Sequence, residues 1–238
     1  SLSEFKFDWF DINMWCPDKN VIKKSCEAGL INNFELATKL IEAGYRASNK
    51  LGVPLSVKTR VGYLGYEEEW LINILQTNKL AALTVHLRSK VEMSKVEAHY
   101  EYIDKIINLR NIYSPDTLII INGDIDNLTK VNQLYSSHNI DGAMLGRAIL
   151  KNLLVFSGRD YSLEYTEKEQ LELLKDFSVK YYSEYSNFDK LKRFFKVFIR
   201  ENKYSDKLKI KLYEASDFKK KKKILTYYIE KSDTKDNM

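Results

Sequence analysis

Three features of the chain predict a parallel α/β fold: a (β/α)8 TIM-type barrel, represented by about five β/α units and followed by a C-terminal α-helical bundle. Short apolar runs alternate with segments of helical periodicity over roughly the first 150 residues. Each apolar run ends in polar or glycine residues, as barrel strands do where the loops that follow them build a site. Beyond that point the strand signal stops and only helical spacing remains.

The first run, Phe7, Trp9, Phe10, Ile12 and Met14, reads as a buried strand that Pro17 terminates. It brings Asn13 and Cys16 to a strand end. A lone cysteine is most often a small buried hydrophobe, and only its place at a strand mouth makes Cys16 a candidate for chemistry. A helical pattern runs from Asn33 to Leu51, with Leu36, Leu40, Ile41, Ala43 and Gly44 on one stripe. The next strand, PLSVKTRVG, opens at Pro54 and gathers Lys58, Arg60 and Gly62 towards its exit.

A helix over Glu67–Thr77 starts acidic, as a helix N-terminus prefers. The strand Ala81–Arg88 ends in His86 and Arg88, and a helix follows at Tyr100–Leu109. The continuous apolar run Thr117–Ile125 ends in Asn122, Gly123 and Asp124, and precedes a helix over Asn127–Ser137. The last strand, Asp141–Arg147, ends in Gly146 and Arg147. These strands read as buried on both faces, as parallel strands do. A doubly wound open sheet would show the same alternation. It usually carries a glycine fingerprint after its first strand, however, and FDINMWCPDK has none.

From about Lys151 onward Leu171, Leu174, Phe177 and Tyr181, then Leu191, Phe194, Phe195 and Phe198, recur at helical spacing. Two domains are expected, residues 1–155 and residues 156–238, the second ending in a disordered tail after Lys231. The run Lys219–Lys223 reads as a solvated helix face. The net charge of +5 is uneven: residues 151–238 hold 21 Lys and Arg against 15 Asp and Glu, while residues 1–150 hold 17 against 18. A basic surplus confined to the helical part suggests a module that faces a polyanion.

No apolar run approaches the ~20 residues of a membrane span, and no basic-then-apolar layout opens the chain. The two cysteines, Cys16 and Cys26, show no disulfide or zinc spacing, which suits a reducing, cytoplasmic setting. A monomer without membrane or metal partners is expected. No converging carboxylate pair suggests hydrolysis, and no Ser/His/Asp order appears.

The strand ends do suggest a ligand. Glycines after the last two strands let a backbone approach a phosphate closely, and Arg147 adds a fixed charge. Lys58, at the exit of an apolar strand, implies an anionic or electron-rich partner, because a buried charge is costly alone. His86 is a further donor at a strand end, the alternative being a satisfied supporting histidine.

Five motifs in order, DINMWCP, SVKTRVG, TVHLR, INGDI and DGAMLGR, resemble those of the tRNA-dihydrouridine synthases over about residues 7–155, with a weaker likeness in the helical tail. The resemblance implies a flavin-dependent barrel followed by a helical domain that grips tRNA. In that family NADPH reduces bound FMN, which then reduces the 5,6 double bond of a uridine. By position, Cys16 matches the general acid that protonates C5 after hydride reaches C6. Lys58 matches the lysine at the flavin and ribityl region, and His86 a histidine near the phosphate side. Asn122, Gly123, Asp124, Gly146 and Arg147 match the segments that hold the FMN phosphate, and Asn13 and Arg60 match positions near the substrate.

The chain departs from the family pattern in places. Trp15 stands where the family has glycine, Ser25, Cys26 and Glu27 interrupt a Gly/Ala-rich loop, and Leu87 takes the place of a small residue. The family's barrel also has three strands before the one that carries the cysteine, so the chain is expected to be a fragment or a split version. A second reading keeps the scaffold as a tRNA- or RNA-binding protein without flavin chemistry.

Overall fold

Strands β1 (Phe10–Asn13), β2 (Leu55–Arg60), β3 (Ala82–His86), β4 (Leu118–Asn122) and β5 (Gly142–Met144) form one parallel sheet in the order β1-β2-β3-β4-β5. The structure is a computed structural model and describes residues 4, 6–14, 27–77, 80–151, 155–156, 167–192, 194–199 and 205–233. Sequence order equals spatial order, so each crossover lays the next strand beside the last, as in a β/α barrel. The helices between strands are α1 (Phe34–Leu51), α2 (Glu68–Thr77), α3 (Ile103–Tyr113) and α4 (Leu128–His138), and α5 (Ala148–Lys151) follows β5.

The sequence explains where these helices begin and end. Asn33 caps α1 by accepting from the Leu36 N–H at 3.0 Å, and Gly52 ends it in the left-handed region at φ 69°. Asn127 caps α4 through the Lys130 N–H at 2.7 Å. Boundaries shift from those expected. β3 stops at His86, so Leu87 and Arg88 enter the loop. β5 stops at Met144, so Gly146 and Arg147 lie beyond it. The helix expected from Tyr100 opens as a single 3-10 turn over Tyr100–Tyr102 before α3.

The sheet register separates two faces. Ile12, Val57, Leu83 and Ile119 are neighbours across the strands, as are Val85, Ile121 and Ala143. Alternation of Cβ directions puts both rows on one face. That face forms a core with Ile41 of α1, Trp70, Leu71 and Ile74 of α2, and Ile103 and Ile106 of α3. Thr59 is the polar exception on this side, and the Trp70 indole N–H donates to its hydroxyl at 2.9 Å. The opposite face carries Asn13, Lys58 and Thr84 in one row, and Arg60, His86, Asn122 and Met144 in the next. β2 and β3 are buried on both faces, as the sequence predicts, and the polar side chains of one face gather near their C-terminal ends.

Burial of the first run differs from expectation. Phe7 and Trp9 are 37% and 45% exposed, and β1 is only half-buried. β1 is an edge strand of this sheet, and Trp9 turns its indole to the polar side, donating to Ser56 Oγ at 2.5 Å. Leu40 of the α1 stripe is also exposed, because the buried face runs through Ala37, Ile41, Gly44 and Ser48. At the N-terminal edge of the sheet, Asp141 Oδ2 accepts from the Ile119 N–H at 2.8 Å and from Arg110 at 3.3 Å, tying β4 to the start of β5.

The chain divides into two compact units, Ser1–Ala148 and Ile149–Met238. The second contains α6 (Glu167–Tyr185), α7 (Phe188–Lys192), α8 (Phe195–Phe198), α9 (Ser205–Glu214) and α10 (Phe218–Asp233). Its own core includes Leu171, Leu174, Leu191, Phe195, Leu208, Leu212 and Leu225. The lysine run is not one solvated face. Five consecutive helical residues sweep more than a full turn, so one must point inward. Lys221 is that residue: it shares a stripe with Leu225 and Tyr228, is fully buried, and sets its Nζ 3.7 Å from the Phe195 ring centroid. Lys219, Lys220, Lys222 and Lys223 are exposed.

Burial, aided by Lys192, lowers the Lys221 pKa to about 7 from an ordinary 10.5. Between those values the unfolded chain binds the extra proton, so stability rises with pH across this window and is flat, as far as this group is concerned, below it. Chemical denaturation at pH 7 and pH 10 will show the helical unit more stable at the higher pH. In Lys221→Met that pH dependence will be lost. An unchanged profile in the variant would contradict the assignment.

Candidate active site at the strand ends

The polar face of the sheet assembles its functional groups from three strands. Lys58 on β2 is buried and donates from Nζ to Asn122 Oδ1 on β4 at 3.4 Å. Asn122 is itself oriented, because its Nδ2 donates to the Met144 carbonyl at 2.7 Å and leaves its oxygen towards the lysine. Burial and then Arg60 lower the Lys58 pKa to about 8, against the opposing pull of Asp11. His86 on β3 stands between these strands. Burial first, then Arg60, Lys58 and Arg88, lower its pKa to about 3, so the imidazole is neutral at any working pH. A neutral imidazole offers one N–H donor and one lone pair rather than a charge.

Arg60 is held by the loop that follows β3. It is 2% exposed, and its Nη1 donates to the carbonyls of Ser89 at 2.8 Å and Met93 at 3.3 Å. It therefore anchors the loop between β3 and α3 from beneath. The same loop is stitched to the one after β2 by Lys90 N–H to Gly62 O at 2.9 Å and Val91 N–H to Tyr63 O at 3.1 Å. Glu67 Oε1 accepts from the Tyr63 and Leu64 N–H groups at 3.0 and 3.1 Å, folding the loop after β2. A Cβ on Gly62 would collide with the Gly65 carbonyl, so this turn requires glycine.

Beyond β4 the chain turns through two left-handed residues, Gly123 at φ 124° and Asp124 at φ 48°. Tyr100 fixes the turn by donating its hydroxyl to the Gly123 carbonyl at 2.8 Å, and a Cβ on Gly123 would press on Ala98 at 3.0 Å. The Asp124 carboxylate accepts from Arg88 and from the Ala98 N–H at 3.1 Å, and lies 3.6 Å from Arg147. The Arg88 bond, the Ala98 amide and Arg147 hold its pKa below the usual carboxylate range despite its partial burial. A Cβ on Gly146 would meet nothing within 4 Å, so the space beside the end of β5 is open.

The structure thus brings together Lys58, Arg60, His86, Asn122, Gly123 and Asp124, with Arg147 reaching Asp124 from the β5 side. Asn13 sits at the end of β1 in register with Lys58 and is exposed. Cys16, with Trp15, Pro17, Ser25 and Cys26, lies outside the described residues, as does the side chain of Glu27. Arg88 was missing from the sequence-based candidate set. The available signal was its position just past a strand end that already carried His86.

Among the described residues no cluster of His, Cys, Asp or Glu is suited to a metal ion. No helix among them is long and apolar enough to cross a membrane. A cleft of about 280 Å3 lies at the opposite edge of the sheet, lined by Leu75, Gln76, Leu80, Tyr113, Ser114 and Thr117, and it holds no cationic side chain.

Arg88 and Arg147 meet Asp124 at this edge, and Lys58 and Arg60 add two more cations on β2, an arrangement that fits a ligand with an anionic group. The fold and site define a TIM-type α/β protein with cationic side chains at its strand ends. The chain belongs to the dihydrouridine synthase (Dus) family, whose sequence model matches residues 2–236. It is 36% identical over 231 residues to a "Probable tRNA-dihydrouridine synthase" of Staphylococcus aureus, spanning 94% of this chain and 68% of that one. It is 40% identical over 206 residues to a "Probable tRNA-dihydrouridine synthase 2" of Bacillus subtilis, spanning 84% and 61% respectively. A relative of the first name in Staphylococcus epidermidis is 35% identical over 241 residues, spanning 98% and 72%.

If Arg60 anchors the loop, Arg60→Met will raise amide hydrogen exchange at Lys90 and Val91 by about tenfold or more while β2–β4 keep their protection. Unchanged exchange in that loop would refute the role.

Proposed function

We propose that this chain is a tRNA-dihydrouridine synthase that binds FMN at the strand ends, takes reducing equivalents from NADPH and reduces the 5,6 double bond of a tRNA uridine. The observation that carries this reading is the cationic strand edge with its neutral His86, in a chain whose relatives bear that name. The residues present fit a phosphate-bearing flavin. Gly123 and the open space beside Gly146 allow close approach, and Arg88 retains a buried guanidinium nitrogen, Nη1, with no hydrogen-bond partner among the described residues. FMN, once reduced, supplies the hydride that reaches C6 of the uracil.

The chain's own residues do the rest. Lys58, oriented by Asn122, donates a charge-assisted hydrogen bond to an electron-rich atom of flavin or substrate. His86 donates a neutral hydrogen bond on the phosphate side, and the turns at Gly123 and at Gly146–Arg147 receive the phosphate itself. Asn13, exposed at the end of β1, contacts the edge of the uracil. Arg60 acts through the loop it anchors, which forms one rim of the site. The Cys16 thiol gives its proton to C5, completing the addition of hydride and proton across the double bond, and regains a proton from water. The target base must leave its stack to enter such a site, and the helical unit with its exposed lysines supplies phosphate contacts to the tRNA. The protein works as a cytoplasmic monomer in this account.

Incubating the chain with FMN, NADPH and unmodified tRNA will yield dihydrouridine by mass spectrometry. Cys16→Ala will lower the rate by about 10²–10⁴-fold. Undiminished activity in that variant would remove Cys16 from the mechanism. A colourless preparation that binds tRNA but forms no dihydrouridine would favour the RNA-binding reading. Because Lys58 loses its proton as pH rises through about 8, FMN affinity will fall across that range. It will be flat with pH in Lys58→Met.

A further inference from the structure

We propose that Asp124 is a positioning residue that aims two arginines at a phosphate monoester, and that Arg88 is the buried half of that anion site. The inference rests on the reading that the strand ends receive a phosphate.

Arg88 is 3% exposed, so its permanent charge is almost wholly withdrawn from water. Its Nε donates to the Val96 carbonyl at 2.6 Å and its Nη2 to Asp124 Oδ2. Its Nη1 is buried and has no hydrogen-bond partner among the described residues. A buried guanidinium nitrogen left without an acceptor is costly, and an incoming oxyanion removes that cost.

Arg147 approaches the same carboxylate from the β5 side, Nη2 to Oδ1 at 3.6 Å, and is 68% exposed. Asp124 therefore holds one arginine with each oxygen, and its Oδ2 is held in turn by the Ala98 N–H at 3.1 Å. The Tyr100 bond to Gly123 fixes the turn that carries it. A carboxylate placed this way is a poor phosphate ligand, because like charges repel. Its value to a phosphate lies in the two forks it orients. The two arginines outweigh Asp124 by one charge, a balance that favours an anion.

This assignment has a sign that simple electrostatics does not share. Removing a negative charge beside an anion site should tighten binding if the carboxylate is a bystander. Removing a positioning carboxylate should loosen it.

The full chain is titrated with inorganic phosphate, FMN and riboflavin, using calorimetry and flavin fluorescence, and the melting temperature of each apo variant is recorded. Phosphate and FMN should bind the wild type. Asp124→Asn should weaken both by roughly tenfold and leave riboflavin affinity unchanged. Arg88→Lys should do the same, since an ammonium lacks the planar fork that lets one nitrogen hold the carboxylate while another meets an oxyanion. If Asp124→Asn does not fold, Arg88→Lys and the surface change Arg147→Met carry the comparison. Tighter or unchanged phosphate binding in Asp124→Asn would overturn the proposal. So would equal loss of FMN and riboflavin, or a wild type indifferent to phosphate. Arg88-dependent phosphate binding without affinity for either flavin would leave this site standing and sink the flavin reading instead.

Discussion

Burying a positive charge at a strand end is costly unless something nearby compensates for it, and this sheet does so at Lys58, Arg60 and Arg88. Much of the surrounding construction answers that cost. Asn122 is turned by the Met144 carbonyl so that its oxygen meets Lys58, two loop carbonyls take the Arg60 guanidinium, and Asp124 takes Arg88. The left-handed turn at Gly123 and Asp124 exists to bring that carboxylate back over the edge of β3. His86, in the middle of these cations, is kept neutral first by its burial and then by the same field.

The period-two geometry of strands makes this economical. One face of β2–β4 supplies Val57, Leu83, Val85, Ile119 and Ile121 to the helix-covered core, and the other supplies the chemistry. A register shift of one residue would exchange the two faces and bury the charges under α2 and α3. Packing of the apolar face therefore fixes the geometry of the polar one, and the site inherits its precision from the core. The helical unit has a separate core of leucines and aromatics.

Much of this was legible in the sequence, and the reasons for the remainder are physical. The alternation of apolar runs and helical stripes gave the sheet order, because each strand and helix announces itself locally. The cluster of Lys58, His86 and Asn122 was legible because parallel strands deliver their C-terminal residues to one edge. Orientation was not legible. Nothing local to Arg60 shows that its guanidinium is held by carbonyls 29 and 33 residues away. Arg88 and Asp124 form a pair across 36 residues, which no local pattern encodes. Lys221 disappears in a run of identical residues, and only the helix circumference shows that one of them must turn inward.

The central claim is that cations crowd the strand ends around a buried, neutral histidine, and the His86 pKa reports on that burial and that field together. Its ring nitrogen shifts can be followed by ¹⁵N NMR from pH 8 down to the acid limit of folding. The account predicts that His86 stays neutral through pH 5 and begins to protonate only on approach to about 3, if the fold survives that far. A midpoint near the ordinary histidine value of about 6.5 would show that the charges do not converge on it, and the anion-receiving edge would have to be abandoned.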